Sequence, residues 1–184
     1  MTDLKILGIC GSLRKASLNM AALRACQELL PPGMTLTIAD YSDLPMINQD
    51  VLDAGVPEPI KRLEAAIRAA DGVLIVSPEY NFSVPAPLKN AIDWTSKVPK
   101  QPWQDKPIAI FSVAPGPVGG TRMQYDLRKI LVQLWGHVMP RPEVYITAAA
   151  SKFQDGRLTD ETSRKFVAEL LAGFKAWIER MKPS

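Results

Sequence analysis

The sequence predicts an α/β protein in which a doubly wound, five-stranded parallel sheet lies between two layers of helices. Short apolar segments of strand length alternate with helical patterns along the chain, the order expected of repeated strand–helix–strand units. Three of the strand segments run directly into loops rich in glycine, proline, serine or asparagine. No internal repeat or change of composition divides the 184 residues, so we expect one domain over residues 1–184.

The first half of the chain is predicted to supply three strands and two helices. Residues 4–10 are almost continuously apolar, which is typical of a strand covered on both faces, and residues 34–39 alternate. Residues 72–77 give the third strand, which is expected to be the most buried of the set. Apolar residues at helical spacing predict helices over 18–30 and 60–70.

The second half continues the alternation. Helical patterns cover 88–96 and 123–135, and the last helix carries an apolar stripe over 166–181 after start signals at 159–162. Strands are predicted over 108–113 and 143–147, and the stretches predicted to be loops are 40–59 and 148–157.

Composition and charge narrow the class of protein. With 47% hydrophobic and 22% charged residues, the chain has an ordinary globular composition. The net charge of +3 is spread without a dense basic run, which argues against nucleic acid as the main ligand. No apolar stretch approaches the roughly 20 residues that span a bilayer.

Two features predict the compartment of the protein. The chain enters a strand at Leu4, which leaves no room for a signal peptide. Cys10 and Cys26 fall at positions expected to be buried, which favours a reduced protein in the cytoplasm.

The stretch Gly11–Asn19 is the strongest candidate for binding an anion. It links a strand to a helix and combines hydroxyls, main-chain N–H groups and the open, positive end of the helix. Arg14 and Lys15 lie within it, with no carboxylate nearby in sequence to pair them. The patterns of a P-loop and of a dinucleotide fingerprint are both absent. A capped turn without a ligand is the alternative.

Two further loops follow strands and are predicted to meet the first at the same edge of the sheet. In the loop over 78–87, Tyr80 offers an aromatic wall and the peptide N–H groups offer donors to a flat ring. The glycines of the loop over 114–120 permit close approach of a ligand to the backbone. Ordinary tight turns are the alternative for both loops.

Other reactive residues do not form a recognisable catalytic or metal-binding set. His137, placed near the end of an apolar helix, is expected to be structural, and nothing pairs it with a nucleophile. Cys10 is expected to be inert because it is buried. Arg122 and Tyr125 are expected either to face a subunit contact near the loops, reaching Glu143, or to lie on a solvated face.

Three motifs in this order resemble the NAD(P)H-dependent FMN reductases, in particular the branch of bacterial quinone and chromate reductases. The motifs are Gly11–Asn19, the run Pro78–Pro85 followed by Leu88–Trp94, and the pair Gly119–Gly120. Together they span the first four predicted strands, and the resemblance covers most of the chain. It implies a flavodoxin-like sheet with strand order 2-1-3-4-5, and a homodimer or homotetramer.

The same resemblance implies tightly held FMN, reduced by NAD(P)H and reoxidised by a quinone-like acceptor, with chromate, azo and nitro compounds as further acceptors. It assigns the chemistry to the flavin, so no residue is predicted to be catalytic. A flavodoxin-like electron carrier and a non-catalytic flavin-binding module are the alternatives. The residues implied to bind the cofactor are Ser12, Leu13, Arg14, Ser17, Leu18, Asn19, Pro78, Glu79, Tyr80, Asn81, Phe82, Ala114 and Gly116.

One position departs from the pattern of the family. Relatives often carry a serine where Ala114 stands, and a hydroxyl there can touch the flavin. Any contact from this loop is therefore expected through the main chain or through Ser112.

Overall fold

A parallel sheet with strand order β2-β1-β3-β4-β5 forms the centre of the computed structural model, which describes residues 3–182. The expected strand order and the flavodoxin-like α/β architecture are confirmed. The long strands are β1 (Leu4–Cys10), β2 (Met34–Ile38), β3 (Gly72–Val76) and β4 (Pro107–Val113). The helices are α1 (Leu18–Leu29), α2 (Gln49–Asp53), α3 (Glu58–Ala69), α4 (Ala86–Ser96), α5 (Thr121–Gln133) and α6 (Glu161–Met181). Among the described residues, no helix is long and apolar enough to cross a membrane.

Successive residues of the central strands point to opposite faces of the sheet, and both faces are covered. In β1, Ile6 and Cys10 pack with α1 and α6, whereas Leu7 and Ile9 pack with α3, α4 and α5. The same division runs through β3, where Leu74 and Val76 belong to the first face. This explains why these strands read as apolar runs without alternation, because neither face meets water.

The last position of the sheet is shared by two short strands rather than filled by one. β5 (His137–Val138) pairs with the beginning of β4, and β6 (Val144–Ile146) pairs with its end. The expected strand over 143–147 therefore corresponds to β6, and β5 was not expected.

The placement of His137 and Trp135 in a helix was wrong. α5 ends at Gln133, and the chain leaves it through Trp135, which has a left-handed φ of 60° and is largely exposed. Gly136 then donates its N–H to the Leu131 carbonyl over 2.9 Å, and a Cβ at Gly136 would lie 2.8 Å from Ile108. A side chain here would have to displace Ile108, so glycine suits the point at which the chain turns back towards the sheet.

Both stretches expected to be loops contain short elements. Residues 40–59 include α2 and the start of α3. Residues 148–157 include a 3₁₀ turn, Ala149–Ser151, and most of a two-stranded hairpin made of β7 (Phe153–Gln154) and β8 (Arg157–Leu158). Elements of two to five residues carry too little periodicity to be recognised from sequence.

Candidate active site

A cleft of about 340 Å³ lies where the carboxyl ends of β1, β3 and β4 meet. In a doubly wound sheet, the strand order reverses at one point, and a crevice forms there beyond the carboxyl ends of the strands. Ligands of such sheets bind in this crevice. The loop after β1 forms one wall, and the loops after β3 and β4 form the others. The residues that line the cleft are Ser12, Arg14, Ala16, Ser17, Leu18, Asn19, Pro78, Glu79, Tyr80, Val113, Ala114, Pro115 and Ala149.

The tips of β1 and β3 approach each other closely at Gly11. Its N–H donates to the Val76 carbonyl over 2.8 Å, which extends the pairing of the two strands by one residue. A Cβ at Gly11 would lie 2.1 Å from Ser77 Oγ and 3.1 Å from Ser77 Cα. Only glycine therefore fits this position, and its absent side chain brings the first two loops together.

The loop from Ser12 to Ser17 presents main-chain donors that no protein group accepts. Within residues 3–182, the N–H groups of Ser12, Leu13, Lys15 and Ala16 have no hydrogen-bond partner. The Ser17 hydroxyl caps α1 by accepting the N–H of Met20 over 3.3 Å, and the first turn of α1 carries no acidic residue. Unpaired N–H groups and an uncompensated helix dipole together favour an anion at this point.

Asn19 joins the start of α1 to the end of β4. Its side-chain nitrogen donates to the Val113 carbonyl over 3.0 Å, and its side-chain oxygen accepts the Val113 N–H over 3.1 Å. The side chain is buried. Asn19 thus fixes the distance between the first and third loops, a role that its place in the motif did not reveal.

The loop after β3 contains a strained two-residue turn. Tyr80 and Ser83 exchange hydrogen bonds between their main chains, at 3.1 and 3.0 Å, around Asn81 and Phe82. Both central residues are left-handed, with φ of 48° and 69°. Asparagine tolerates this conformation, but for phenylalanine it costs on the order of 1 kcal/mol. The turn directs Tyr80 to the cleft and leaves Phe82 outside its lining.

Arg122 and Glu79 connect this turn to α5. Arg122 Nε donates to Glu79 Oε1 over 2.9 Å, and Glu79 Oε2 accepts the N–H of Met123 over 3.2 Å. The guanidinium also lies over the ring of Phe82, 3.6 Å from its centroid. Within one chain, Arg122 therefore pairs with Glu79 and not with Glu143, and a contact with Glu143 at a subunit interface stays a prediction. Arg128 is the residue that approaches Glu143, at 3.9 Å.

The loop after β4 offers less than the sequence suggested. The Ala114 N–H donates to Ile146 and its carbonyl accepts from Ala149, so both main-chain groups are already paired. The Ser112 hydroxyl is fully buried, donates to the Gly119 carbonyl and accepts from Gln124. A flavin contact through Ser112 was therefore wrongly expected, and Ala114 can present only its methyl group.

Most, but not all, of the expected binding residues line the cleft. Those that lie outside its lining are Leu13, Asn81, Phe82 and Gly116. Ala149 was missed, because it follows β6 and reaches the site only through its hydrogen bond to Ala114. No signal in the sequence marked it.

Cys10 and His137 do not line this cleft. Burial raises the pKa of the Cys10 thiol, which therefore stays protonated. His137 Nε2 lies 3.3 Å from Asp105 Oδ1. The strand of His137 pairs with the beginning of β4, whereas the cleft lies at the other end of β4. Within residues 3–182, no three His, Cys, Asp or Glu residues lie close enough to hold a metal ion.

Comparisons with known proteins agree on one family. The family model described as NADPH-dependent FMN reductase matches residues 4–151. The chain is 44% identical over 181 residues to a protein of Pseudomonas aeruginosa named NAD(P)H-dependent FMN reductase, covering 98% of both chains. It is 39% identical over 183 residues to a protein of Escherichia coli named quinone reductase, covering 97% of both. The chain belongs to the NADPH-dependent FMN reductase family.

A solved structure supports the same assignment for this FMN reductase family member. The Paracoccus denitrificans flavoenzyme FerB, described as an NAD(P)H:(acceptor) oxidoreductase, superposes with a TM-score of 0.88 at 36% identity. The match covers 97% of this chain and 98% of FerB. The resemblance that the three motifs carried is therefore confirmed.

The cleft of this FMN reductase family member suits the cofactor in the family's name. The unpaired N–H groups before α1, together with Arg14, suit a phosphate dianion. Tyr80, Pro78 and Pro115 offer apolar surface to a flat ring system at the other side of the cleft. The lining of the cleft is therefore polar and charged at one end and apolar at the other, as FMN itself is.

Proposed function

We propose that the protein is an FMN-dependent NAD(P)H oxidoreductase that reduces quinones or similar electron acceptors. In the overall reaction, NAD(P)H, a proton and a quinone give NAD(P)⁺ and the hydroquinone, a transfer of two electrons. Bound FMN supplies the redox chemistry, accepting hydride from one substrate and passing electrons to the other. The observation that carries the proposal is the meeting of three strand tips around unpaired N–H groups and an uncompensated helix terminus.

The first loop has the task of holding the phosphate. We assign the phosphate to the N–H groups between Ser12 and Ala16, with the hydroxyls of Ser12 and Ser17 and the guanidinium of Arg14 around it. The charge of Arg14 and the dipole of α1 would offset the phosphate charge. The Asn19 side chain acts indirectly, because its two bonds to Val113 hold the loop at a fixed distance from β4.

The second loop has the task of placing the flat ring. Tyr80 and Pro78 line the cleft there, and Tyr80 is itself exposed, so this part of the cleft is open to solvent. Donor and acceptor would use this opening in turn. Within residues 3–182, the lining holds one carboxylate, Glu79, which is paired with Arg122. We therefore assign no general acid or base to the protein.

We also propose that the protein forms a homodimer or homotetramer in the cytoplasm. Tyr125 and Val132 lie seven residues apart on α5, and both are more than half exposed, as is Trp135 at the end of that helix. A second copy of the chain would cover these apolar side chains. Both cysteines are free and buried, as is usual in a reducing compartment. Light scattering on the purified protein gives the oligomeric state.

The decisive experiment measures flavin and turnover on the same sample. The purified protein should carry about one FMN per chain, released on denaturation and identified by chromatography. With a small quinone, it should oxidise NADPH steadily without any protein partner. The matched control is the same preparation stripped of FMN, which should be inactive and recover activity when FMN is added back.

Two outcomes would contradict the proposal in different ways. A protein that never takes up FMN would be a binding module or another enzyme. A protein that binds FMN but oxidises NADPH only with a partner protein present would be an electron carrier.

A further inference from the structure

A second cleft, of about 310 Å³, lies on the other side of the phosphate-binding loop. It runs between that loop and the ends of β1 and β2, with Tyr41 among the residues that line it. Ser12 and Arg14 line both clefts, so the loop is a wall common to the two spaces. Lys15 and Arg24 line the second cleft and not the first. The proposed flavin site therefore does not account for them.

The second cleft carries an excess of positive charge. Arg14, Lys15 and Arg24 are exposed, and none of them forms an ion pair within residues 3–182. Glu28 follows Arg24 by one helical turn, where it could pair with it, but it is bound to Arg157 at 2.9 Å and to Arg164 at 3.2 Å. Because Arg14 is assigned to the FMN phosphate, Lys15 and Arg24 are the two cations of this cleft left to favour a second anionic ligand.

The remaining lining suits a ligand larger than an inorganic anion. Met20 and Ile38 give apolar surface beside the cations. Asp40, the one carboxylate among the described residues of the lining, accepts the N–H and the hydroxyl of Ser42 through Oδ1, at 3.0 and 2.7 Å. Its Oδ2 has no hydrogen-bond partner within residues 3–182 and can accept from a sugar hydroxyl. An adenosine that carries a phosphate combines these three properties.

We propose that the second cleft binds the 2′-phosphoadenosine end of NADPH and thereby selects NADPH over NADH. The inference rests on the proposed function, in which a reduced nicotinamide nucleotide is the electron donor. NADH carries a hydroxyl where NADPH carries the 2′-phosphate, so the phosphate group that we assign to Lys15 and Arg24 is present only in NADPH. The loop shared by the two clefts places the second cleft next to the flavin site, so a nucleotide whose adenosine end lies there would extend towards the flavin.

Nucleotide binding tests the site without any turnover. Titration calorimetry on the FMN-loaded protein would compare adenosine 2′,5′-bisphosphate with adenosine 5′-phosphate. We expect the bisphosphate to bind about tenfold more tightly, and Lys15→Ala and Arg24→Ala each to weaken it about fivefold, the scale of one exposed ion pair. Binding of the monophosphate should hardly change. Lys165→Ala is the matched control, because Lys165 is exposed and lines neither cleft.

Steady-state kinetics should show the same selectivity. In Arg24→Ala, which lies outside the phosphate-binding loop, the KM for NADPH should rise about fivefold while kcat and the KM for NADH stay unchanged. FMN content and melting temperature, measured on every variant, establish that the flavin site and the fold are intact.

Three results would overturn the inference. They are equal affinity for the two adenosine phosphates, a loss of affinity no larger in these variants than in Lys165→Ala, and displacement of the bisphosphate by an equal concentration of inorganic phosphate. Equal use of NADH and NADPH with active enzyme would refute the selectivity while leaving the proposed function standing. If neither nucleotide is oxidised, the proposed function fails, and calorimetry still decides whether the cleft binds the 2′-phosphate.

Discussion

The carboxylate of Glu79, at the end of β3, is held by the guanidinium of Arg122 at the start of α5, 2.9 Å away. The other oxygen of Glu79 caps α5 through the N–H of Met123, at a helix start where the N-cap, Gly120, has no side chain. Glu79 is nearly buried, whereas Arg122 is half-exposed over Phe82. One side chain therefore fixes both the turn that carries Tyr80 and the first turn of a helix.

Replacing Glu79 should loosen this connection. Glu79→Ala leaves the Met123 N–H and Arg122 without their acceptor, and we expect a loss of about 1–3 kcal/mol in the free energy of unfolding. Glu79→Gln, which keeps one acceptor oxygen, should lose less. Denaturant unfolding of the apo protein gives both values. Lys129→Ala, which removes an exposed ion pair with Asp126 on the same helix, is the control and should be nearly neutral. Equal losses in Glu79→Ala and Lys129→Ala would refute the role of Glu79.

Arg14→Ala should weaken retention of FMN by about 1–3 kcal/mol, the scale of a lost charge-assisted hydrogen bond to the phosphate. The effect should be absent for riboflavin, which has no phosphate, and this comparison separates loss of charge from loss of loop structure. Fluorescence titration of apo protein with each flavin measures the two affinities. Lys165→Ala serves as the control for the change in net charge. Unchanged FMN affinity in Arg14→Ala would remove Arg14 from the site.

Asn19→Ala should destabilise the protein even when no flavin is present. The substitution removes two hydrogen bonds to Val113 and leaves both main-chain groups of a buried residue unpaired, so we expect a loss of about 2–4 kcal/mol. Denaturant unfolding of the apo protein measures this loss in the free energy of unfolding. If Asn19→Ala lowered FMN affinity but left the apo protein as stable as the wild type, Asn19 would act on the phosphate rather than on the loop.

Gly11→Ala tests the close approach of β1 and β3. A Cβ would overlap Ser77 Oγ at 2.1 Å and Ser77 Cβ at 2.6 Å, so one of the two loops must move. We expect a loss of about 1–3 kcal/mol in stability, the usual scale of overpacking, together with weaker FMN binding. Adding Ser77→Gly removes both overlapping atoms and should recover part of each loss. A double variant no better than Gly11→Ala would show that this contact is not the cause.

The start of α6 should contribute stability that depends on pH. Asp160 caps the helix by accepting the N–H and the hydroxyl of Ser163, and these bonds hold the pKa of Asp160 below its ordinary value. Because the pKa is lower in the folded protein, the stabilisation is present above the unfolded pKa of about 4 and is lost as pH falls through the folded pKa. Asp160→Asn should therefore lower the melting temperature at pH 7, and the difference from the wild type should shrink towards pH 3. A difference that stays constant with pH would contradict this.

Local signals in the chain were enough to predict the sheet and the position of the cleft. Strands covered on both faces read as apolar runs and helices read as spaced apolar residues, and glycine with hydroxyls after the first strand marked the loop that we propose binds an anion. Those signals are local, since each depends on residues that are neighbours along the chain. These signals, and the family resemblance that they supported, predicted residues that do line the cleft, such as Ser12, Arg14 and Tyr80.

The hydrogen-bond partners of the polar side chains could be identified only from the folded chain. Asn19 meets Val113, 94 residues away, and Glu79 meets Arg122 within the same chain. Ser112 turns away from the cleft because Gly119 and Gln124 occupy its hydroxyl. Such pairings depend on how separate loops pack against one another. The spacing of residues within one segment therefore cannot predict them.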